Sequence, residues 1–390
     1  MKKLIQLLVV IFFALTIVSC SKDDNTTPPA TTTDTTQQKV FREFWEIYNR
    51  HYPLMHRKNI NWQSVFDANF PMITSTTTDV QLFTILQGIM TQTIRDGHTD
   101  LTFNSQSASY TPDSNSEITT TVQTITDTKV DYLGGSSSND YISYGTLRSD
   151  ATIGYIKSKT FEPVNTGSGE FAVYQAVVDA ALTALRDKRG IIIDVRTNGG
   201  GQLMYATYLA GRFFSNDNIT LQRKRYKTTT GDTEASLSGW VLTAADDFSG
   251  YPDSRAAEGG MVGATFSDEN RVAKSGTFQF TNKVAVLTSR GTASSGEFFT
   301  ATMKSQSHVR TIGNITFGIF AGSDTFTLRE GDGNWRTRVS VHDVEIMYNG
   351  SFQSFEGIGI TPDDLLLPTA ADVAASRDVH IDKGVEYINN

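Results

Sequence analysis

The chain has 390 residues, 38% of them hydrophobic and 19% charged, enough for a substantial core and unlike a fibrous or largely disordered protein. Its 34 basic and 42 acidic residues leave a net charge of −8, which argues against nucleic acid as a partner. Cys20 is the only cysteine, which excludes an intrachain disulfide.

Residues 1–20 read as a secretory leader: Lys2 and Lys3, an apolar run from Leu4 to Val18, then Ser19 and Cys20. The run is short for a membrane span, which needs about 20 residues. A cysteine directly behind a small residue resembles a lipobox, in which Cys20 is acylated and becomes the mature N-terminus. The alternative is an ordinary signal peptide with an incidental cysteine. Residues 21–39, rich in Thr, Pro and Gln, read as a solvated tether with a reach of about 25 Å as a coil. The Ser21-Lys22-Asp23-Asp24 start resembles the surface-export signal of Bacteroidetes lipoproteins. The expectation is a cell-envelope, outer-membrane lipoprotein held through lipid on Cys20, displayed on the surface or in the periplasm.

From residue 40 to 97 the spacing is helical: Phe41, Phe44, Trp45 and Tyr48, then Leu82, Ile85, Ile89 and Ile94. From Thr99 to Lys159, Thr119–Thr126 and Ala151–Lys157 suit strands and exposed connections. Phe171, Tyr174, Val178, Leu182 and Leu185 line one face of a helix that Gly190 is placed to end, and Ile191, Ile192 and Ile193 follow as a buried strand. A second strand, helix, strand unit runs from Lys283 past Glu297 to Val309, so crossover helices on a sheet are expected. Residues 229–278, rich in Gly and Asp with weak periodicity, read as an insertion or long loop.

Three segments carry candidate chemistry: Asp96-Gly97-His98-Thr99, Asp194 to Gly201, and Gly291 to Glu297. Ser294 falls where a buried strand passes through a short turn into a helix, so its hydroxyl is exposed near helix N-terminal amides that can stabilise an oxyanion. The alternative reading of this segment is that Thr292, Ser294 or Ser295 is the N-cap of that helix, with Glu297 closing a capping box. Gly199-Gly200-Gly201 permits close backbone approach to a substrate carbonyl, or simply a tight turn. Its spacing fits neither nucleotide nor dinucleotide binding. Of six histidines, His98 stands beside a glycine in a loop, where an imidazole can be held exposed and oriented, although a lone histidine is often structural. No histidine and carboxylate set has metal spacing, so neither a metal nor another cofactor is expected.

In this order the segments resemble the tail-specific (C-terminal processing) and tricorn-core serine peptidases, over residues 40 to 390. The likeness also includes the Phe-Trp-x-x-Tyr helix with Asn61-Trp62, Gly154-Tyr155-Ile156, Ile312-Gly313 with Thr316-Phe317-Gly318, and Glu356 to Asp363. The resemblance implies an α+β fold, a helical N-terminal domain over 40–97 and a mixed-sheet, ClpP/crotonase-like catalytic core over 98–390. It implies Ser294 as nucleophile, with the Ser295 amide and a glycine-turn amide, Gly200 before Gly201, as the oxyanion hole. In serine–lysine dyad members the lysine follows the Thr-aromatic-Gly element; here Ile319 stands there and no lysine follows until Lys383. The resemblance therefore points to the tricorn-like branch, with His98 as general base and Glu356 orienting the constellation. The serine that precedes the histidine in that branch is Gly97 here, which leaves Thr99 to replace it or the place unfilled. No peptide-binding PDZ module is recognisable. The expected function is an exported serine endopeptidase acting on peptides or unfolded proteins. The alternatives are a non-catalytic peptide- or apolar-ligand-binding protein on the same scaffold, like the family's retinoid-binding relatives, and an esterase.

Overall fold

The computed structural model describes residues 34–111, 117–135, 141–164, 169–215, 219–240 and 271–390. The leader, Cys20, most of the tether and residues 241–270 lie outside these. Part of the expected tether is helical: the first helix, Thr36–His51, starts inside 21–39. Thr35 and Gln38 form a capping box there, and Asp34 pairs with Arg42 at 2.8 Å.

The early aromatic motif packs the N-terminal helices. Trp45 Nε1 donates to the Trp62 carbonyl and Trp62 Nε1 to the Trp45 carbonyl, both at 2.9 Å, with the indoles stacked. Each buried ring thus satisfies its only donor. The helical segment does not close its core alone. Phe44, Trp45, Leu82 and Ile94 share a cluster with Leu101, Phe326, Trp335 and Val339. These belong to a four-stranded antiparallel sheet in the order 323–328, 335–340, 100–103, 106–109. Strands from both ends of the chain therefore cover the helices.

The larger sheet has seven strands, in the order 364–365, 309–313, 283–288, 190–194, 153–158, 142–147, 130–134. The first five are mutually parallel and the last two antiparallel. Parallel crossovers build it, among them those through the helices Glu170–Leu185 and Ser295–Lys304. Ile191, Ile193, Val284 and Val286 face one core cluster, while Ile192, Ala285 and Leu287 face another under the helix Val379–Asn389. This two-sided burial explains the unbroken apolar runs.

Two local expectations are corrected. Thr119–Thr126 is not a strand: Thr119 caps a helix, Thr120–Thr128, by accepting from the Val122 amide, and Val122, Ile125 and Thr126 bury one helical face. Gly190 does not cap the preceding helix, which ends at Leu185, but begins the next strand. A Cβ there would stand 2.6 Å from the Ile388 side chain, so close packing of the last helix explains the glycine. In the 229–278 segment, residues 234–236 form a single helical turn and Lys227 bridges Leu237.

Candidate active site

The parallel strands 190–194, 283–288 and 309–313 send their carboxyl ends into three loops, 195–201, 289–294 and 314–320. Backbone and hydroxyl contacts stitch these loops together. Thr292 Oγ1 donates to the Val195 carbonyl at 2.8 Å, the Ala293 amide to the Asn198 carbonyl at 3.0 Å, and the Phe317 amide to the Thr292 carbonyl at 2.9 Å.

Ser294 is at φ 52°, ψ −122°, a left-handed, sparsely populated conformation for a residue with a side chain, immediately before the helix Ser295–Lys304. Such strain costs on the order of 1–3 kcal/mol and persists only where the surroundings over-determine it. The surroundings here are Glu297. Its Oε2 accepts the Ser294 amide at 3.1 Å and the Ile319 amide at 2.8 Å, while Oε1 accepts Thr316 Oγ1 at 2.5 Å and the Gly318 amide at 2.7 Å. Burial pushes the Glu297 carboxyl up to about 7, against the pull of these four donors. Sequence reasoning gave Glu297 only a capping role, and the Ser294 amide contact is one half of that motif.

Gly200 lies against Ser294. At φ 102°, a Cβ on it would stand 2.6 Å from Ser294 Cβ and 2.7 Å from the Ala293 carbonyl oxygen. Its amide, however, donates to Asn198 Oδ1 at 2.9 Å. The glycine expected first as an oxyanion donor is thus already committed, to an asparagine that is fully buried and also donates to Ser158. The Gly201 amide makes no hydrogen bond among the described residues. Nor does the Ser295 amide, at the first helical position, where an intrahelical acceptor does not exist. Ser295 Oγ donates to the Gly201 carbonyl at 2.5 Å and ties the two turns together.

His98 sits in an Asp96-centred turn, where Asp96 Oδ1 accepts the His98 amide at 2.8 Å. Burial lowers the imidazole pKa from its ordinary 6.5, Asp96 opposes the shift and Arg338 adds to it, so the ring is neutral at neutral pH. His98 Nδ1 is buried without a hydrogen-bond partner, and no hydrogen bond joins the ring to Ser294. The loop nevertheless abuts the site wall: a Cβ on Gly97 would stand 2.8 Å from the Phe317 ring and 3.0 Å from Ile319. Thr99, considered as a replacement for the missing serine, is buried and donates its hydroxyl to the Asp96 carbonyl at 2.9 Å. Three other histidines make contacts of their own or lie at the far end of the sheet. His56 contacts Pro53 and Arg225, His380 contacts Arg196 and Leu366, and His308 lies at the amino end of the sheet.

Glu356 Oε2 accepts the Phe320 amide at 2.8 Å. Burial, with Asp96 nearby, raises its carboxyl to about 8, while Lys58 pulls it down. Glu356 therefore holds the 317–320 wall from one side as Glu297 does from the other. Among the described residues no group of His, Cys, Asp and Glu could hold a metal ion.

The decisive comparison is with known families: peptidase family S41 matches residues 152–365, more than half of the chain and all three loops. The chain belongs to peptidase family S41. No curated protein matches it in sequence. Among solved structures, a protein from Parabacteroides merdae described as a peptidase is 22% identical, with a TM-score of 0.69 over 91% of this chain and 97% of that one. A Streptococcus agalactiae lipoprotein is 14% identical, at 0.51 over 93% and 99%. Mature CPAF complexed with lactacystin is 10% identical, at 0.56 over 91% and 99%. At these identities the structural likenesses show the fold: N-terminal helices and a mixed-sheet S41 core. The S41 family is one of serine peptidases, so a peptide substrate class follows from membership.

Proposed function

We propose that this S41 member is an exported serine endopeptidase, cutting peptides or unfolded proteins through an acyl-enzyme on Ser294. The observation that carries the reading is Ser294 itself, held at positive φ by Glu297 beside the unsatisfied Ser295 amide. His98, neutral and with an unpartnered Nδ1, takes the Ser294 hydroxyl proton as Oγ attacks the peptide carbonyl. The Ser295 and Gly201 amides hold the oxyanion, with Gly200 keeping the turn close. His98 then gives the proton to the leaving amine, and water, activated the same way, releases the acyl group. Glu356 acts by holding the Phe320 amide and so the wall against which the His98 loop packs. Because no bond joins His98 to Ser294, the imidazole must close on the hydroxyl when substrate binds; catalytic hydrogen bonds often tighten only then.

That open gap also favours a second reading, a non-catalytic peptide-binding protein on the same scaffold. Cleavage of a mixed peptide and unfolded-protein library, mapped by mass spectrometry and compared with Ser294→Ala, separates the two. Cuts lost in the variant support the peptidase; identical traces support the binding protein. We propose further that the leader directs export and that Cys20 is lipidated, placing the enzyme on the outer membrane. Metabolic labelling with a radiolabelled fatty acid, lost in Cys20→Ala, tests that address.

A further inference from the structure

Residues 68–94 carry a single charged side chain, Asp79, in a chain that is 19% charged. The span covers the helical turn Phe70–Met72, the helix Asp79–Gly88 and the turn Ile89–Ile94 that continues it. Much of it faces solvent: Thr74, Gln81, Thr84 and Gln87 are exposed, and Met72 and Val80 are 58% and 56% exposed. Met72 also lines a groove of about 300 Å³ with Ile85, Gly88 and Ile89. Single exposed apolar side chains are ordinary on a protein surface, whereas an exposed face stripped of charge marks contact with a partner.

The chain that leads back to Cys20 leaves the fold on this same face. Gln38 Nε2 donates to the Ile73 carbonyl at 2.8 Å and Gln37 Nε2 to Asp79 Oδ1 at 3.0 Å. Arg42, paired with Asp34 at 2.8 Å, lies over the Phe70 ring, 4.2 Å from its centre. Residues 34–42 are thus pinned to residues 70–79. Cys20 stands 14 residues before Asp34, and a chain gains at most about 3.5 Å per residue, so the two lie within about 50 Å of each other. Of all the surface, this exit point has the shortest connection to a lipid on Cys20.

We propose that the face formed by residues 70–88 docks on the bilayer that holds the Cys20 lipid, with Met72 and Val80 entering the interface. The inference rests on the lipid-anchor reading of Cys20 and is independent of the peptidase reading. A chain with net charge −8 is repelled by anionic headgroups, and a face without charge approaches them at the least cost. Asp79 lies in the first turn of the helix Asp79–Gly88, where the helix dipole offsets its charge. Two apolar side chains hold a free chain poorly. An anchored chain meets the bilayer at an effective concentration of about millimolar, so docking requires the anchor. Thr93 lines both this groove and the cavity bounded by Phe317 and Glu356, so docking also brings the mouth of the candidate site toward the lipid surface.

The test compares amide hydrogen exchange, read by mass spectrometry, with vesicles of phosphatidylethanolamine and phosphatidylglycerol present in both samples. One sample is the lipoprotein anchored in the vesicles; the other is Cys20→Ala, free beside them. Peptides from residues 70–88 are expected to exchange about tenfold or more slowly in the anchored chain. The exposed 349–353 hairpin should exchange equally in both. Met72→Asp with Val80→Asp, both at exposed positions, should return the anchored chain to the free rate without lowering its melting temperature. Equal exchange in anchored and free chains, slowing centred on another face, or slowing that survives the double substitution overturns the docking face. Slowing in the free chain that grows with protein concentration overturns it too, and assigns the face to a second copy. Incorporation of radiolabelled fatty acid is read in parallel. If Cys20 takes no label, the anchor reading falls by itself. The docking face is then tested on the same chain coupled through Cys20, its only thiol, to a maleimide phospholipid in the vesicles, where the same slowing is expected and its absence is decisive.

Discussion

The buried carboxyl group of Glu297 accepts the amide of Ser294 at 3.1 Å, so the residue three positions after Ser294 fixes its backbone. The same carboxylate gathers Thr316, Gly318 and Ile319 from the neighbouring loop, and with four donors on two oxygens its acceptor sites are filled. Ser294 cannot relax from positive φ without withdrawing a donor from a buried acid, which costs about 1–3 kcal/mol.

Glu297→Gln should therefore be damaging despite its similar shape. A carboxamide offers one acceptor oxygen, and its NH2 would face two of the four donors. Peptide turnover is expected to fall at least about 100-fold, comparable to loss of an oxyanion donor, with thermal stability reduced as well. Steady-state kinetics and a melting curve check this; turnover within a few-fold of wild type would show that the carboxylate does not hold the turn.

The three glycines 199–201 make a graded test of backbone approach. Gly199 is exposed and a Cβ there meets nothing within 4 Å, so Gly199→Ala should leave folding and turnover within a few-fold. Gly200→Ala would force a methyl into Ser294, and Gly201→Ala would place one 2.2 Å from the Phe161 backbone. Both should abolish labelling of Ser294 by a fluorophosphonate reagent. Equal labelling of all three variants would contradict the close approach.

Much of this site was legible because its logic is local: a buried strand, a tight turn and a hydroxyl before a helix recur in sequence as they do in space. Ser294 and the glycine turn, and the strand, helix, strand units around them, follow from that pattern. What sequence hid depends on partners far away in the chain. Glu297 looks like a cap until Thr316 and Gly318 arrive; Gly200 looks like a free amide until Asn198 turns back on it; Gly190 looks like a cap until Ile388 packs over it. Thr119–Thr126 failed differently, because a threonine-rich stretch has weak helix propensity and only the Thr119 cap and the burial of Val122 and Ile125 decide its state.

The pH profile tests the base. A general base works deprotonated, and burial lowers the His98 pKa from 6.5, so the acid limb of kcat/KM is expected below pH 6.5. His98→Ala should remove both that limb and most of the turnover. An acid limb unchanged in His98→Ala would assign the base elsewhere.

Glu356 adds a stability signature of opposite sign to ordinary carboxylates. Its folded pKa is raised, to about 8, above the ordinary 4.5, so its stabilising contribution is full below about 4.5 and is lost as pH rises through about 8. Glu356→Gln keeps an acceptor for the Phe320 amide and cannot ionise. The melting temperature of the variant should thus decline less than that of wild type between pH 5 and 8. Parallel declines would mean that Glu356 titrates normally.

The last helix is fastened to the 195–201 loop by Arg196, whose Nη atoms reach both Asp378 oxygens at 3.1 and 3.0 Å while its Nε holds Asp194. Burial alone would raise both acids, but the guanidinium wins and lowers them, Asp194 to about 2. Their stabilisation is therefore present above the ordinary 3.8 and lost as pH falls through the depressed folded values. Asp378 also accepts the His380 and Ile381 amides, so Asp378→Ala strips the guanidinium and the helix start together. Breaking a buried pair of this kind costs roughly 3–5 kcal/mol. Because the Arg196 carbonyl accepts Ser289 Oγ, which in turn accepts the Gly291 amide, the damage should travel to the 289–294 loop. Urea denaturation should show the stability loss, and Ser294 labelling measured below the unfolding midpoint should slow as well. A destabilised variant that labels at the wild-type rate would confine the Arg196 clamp to holding the fold.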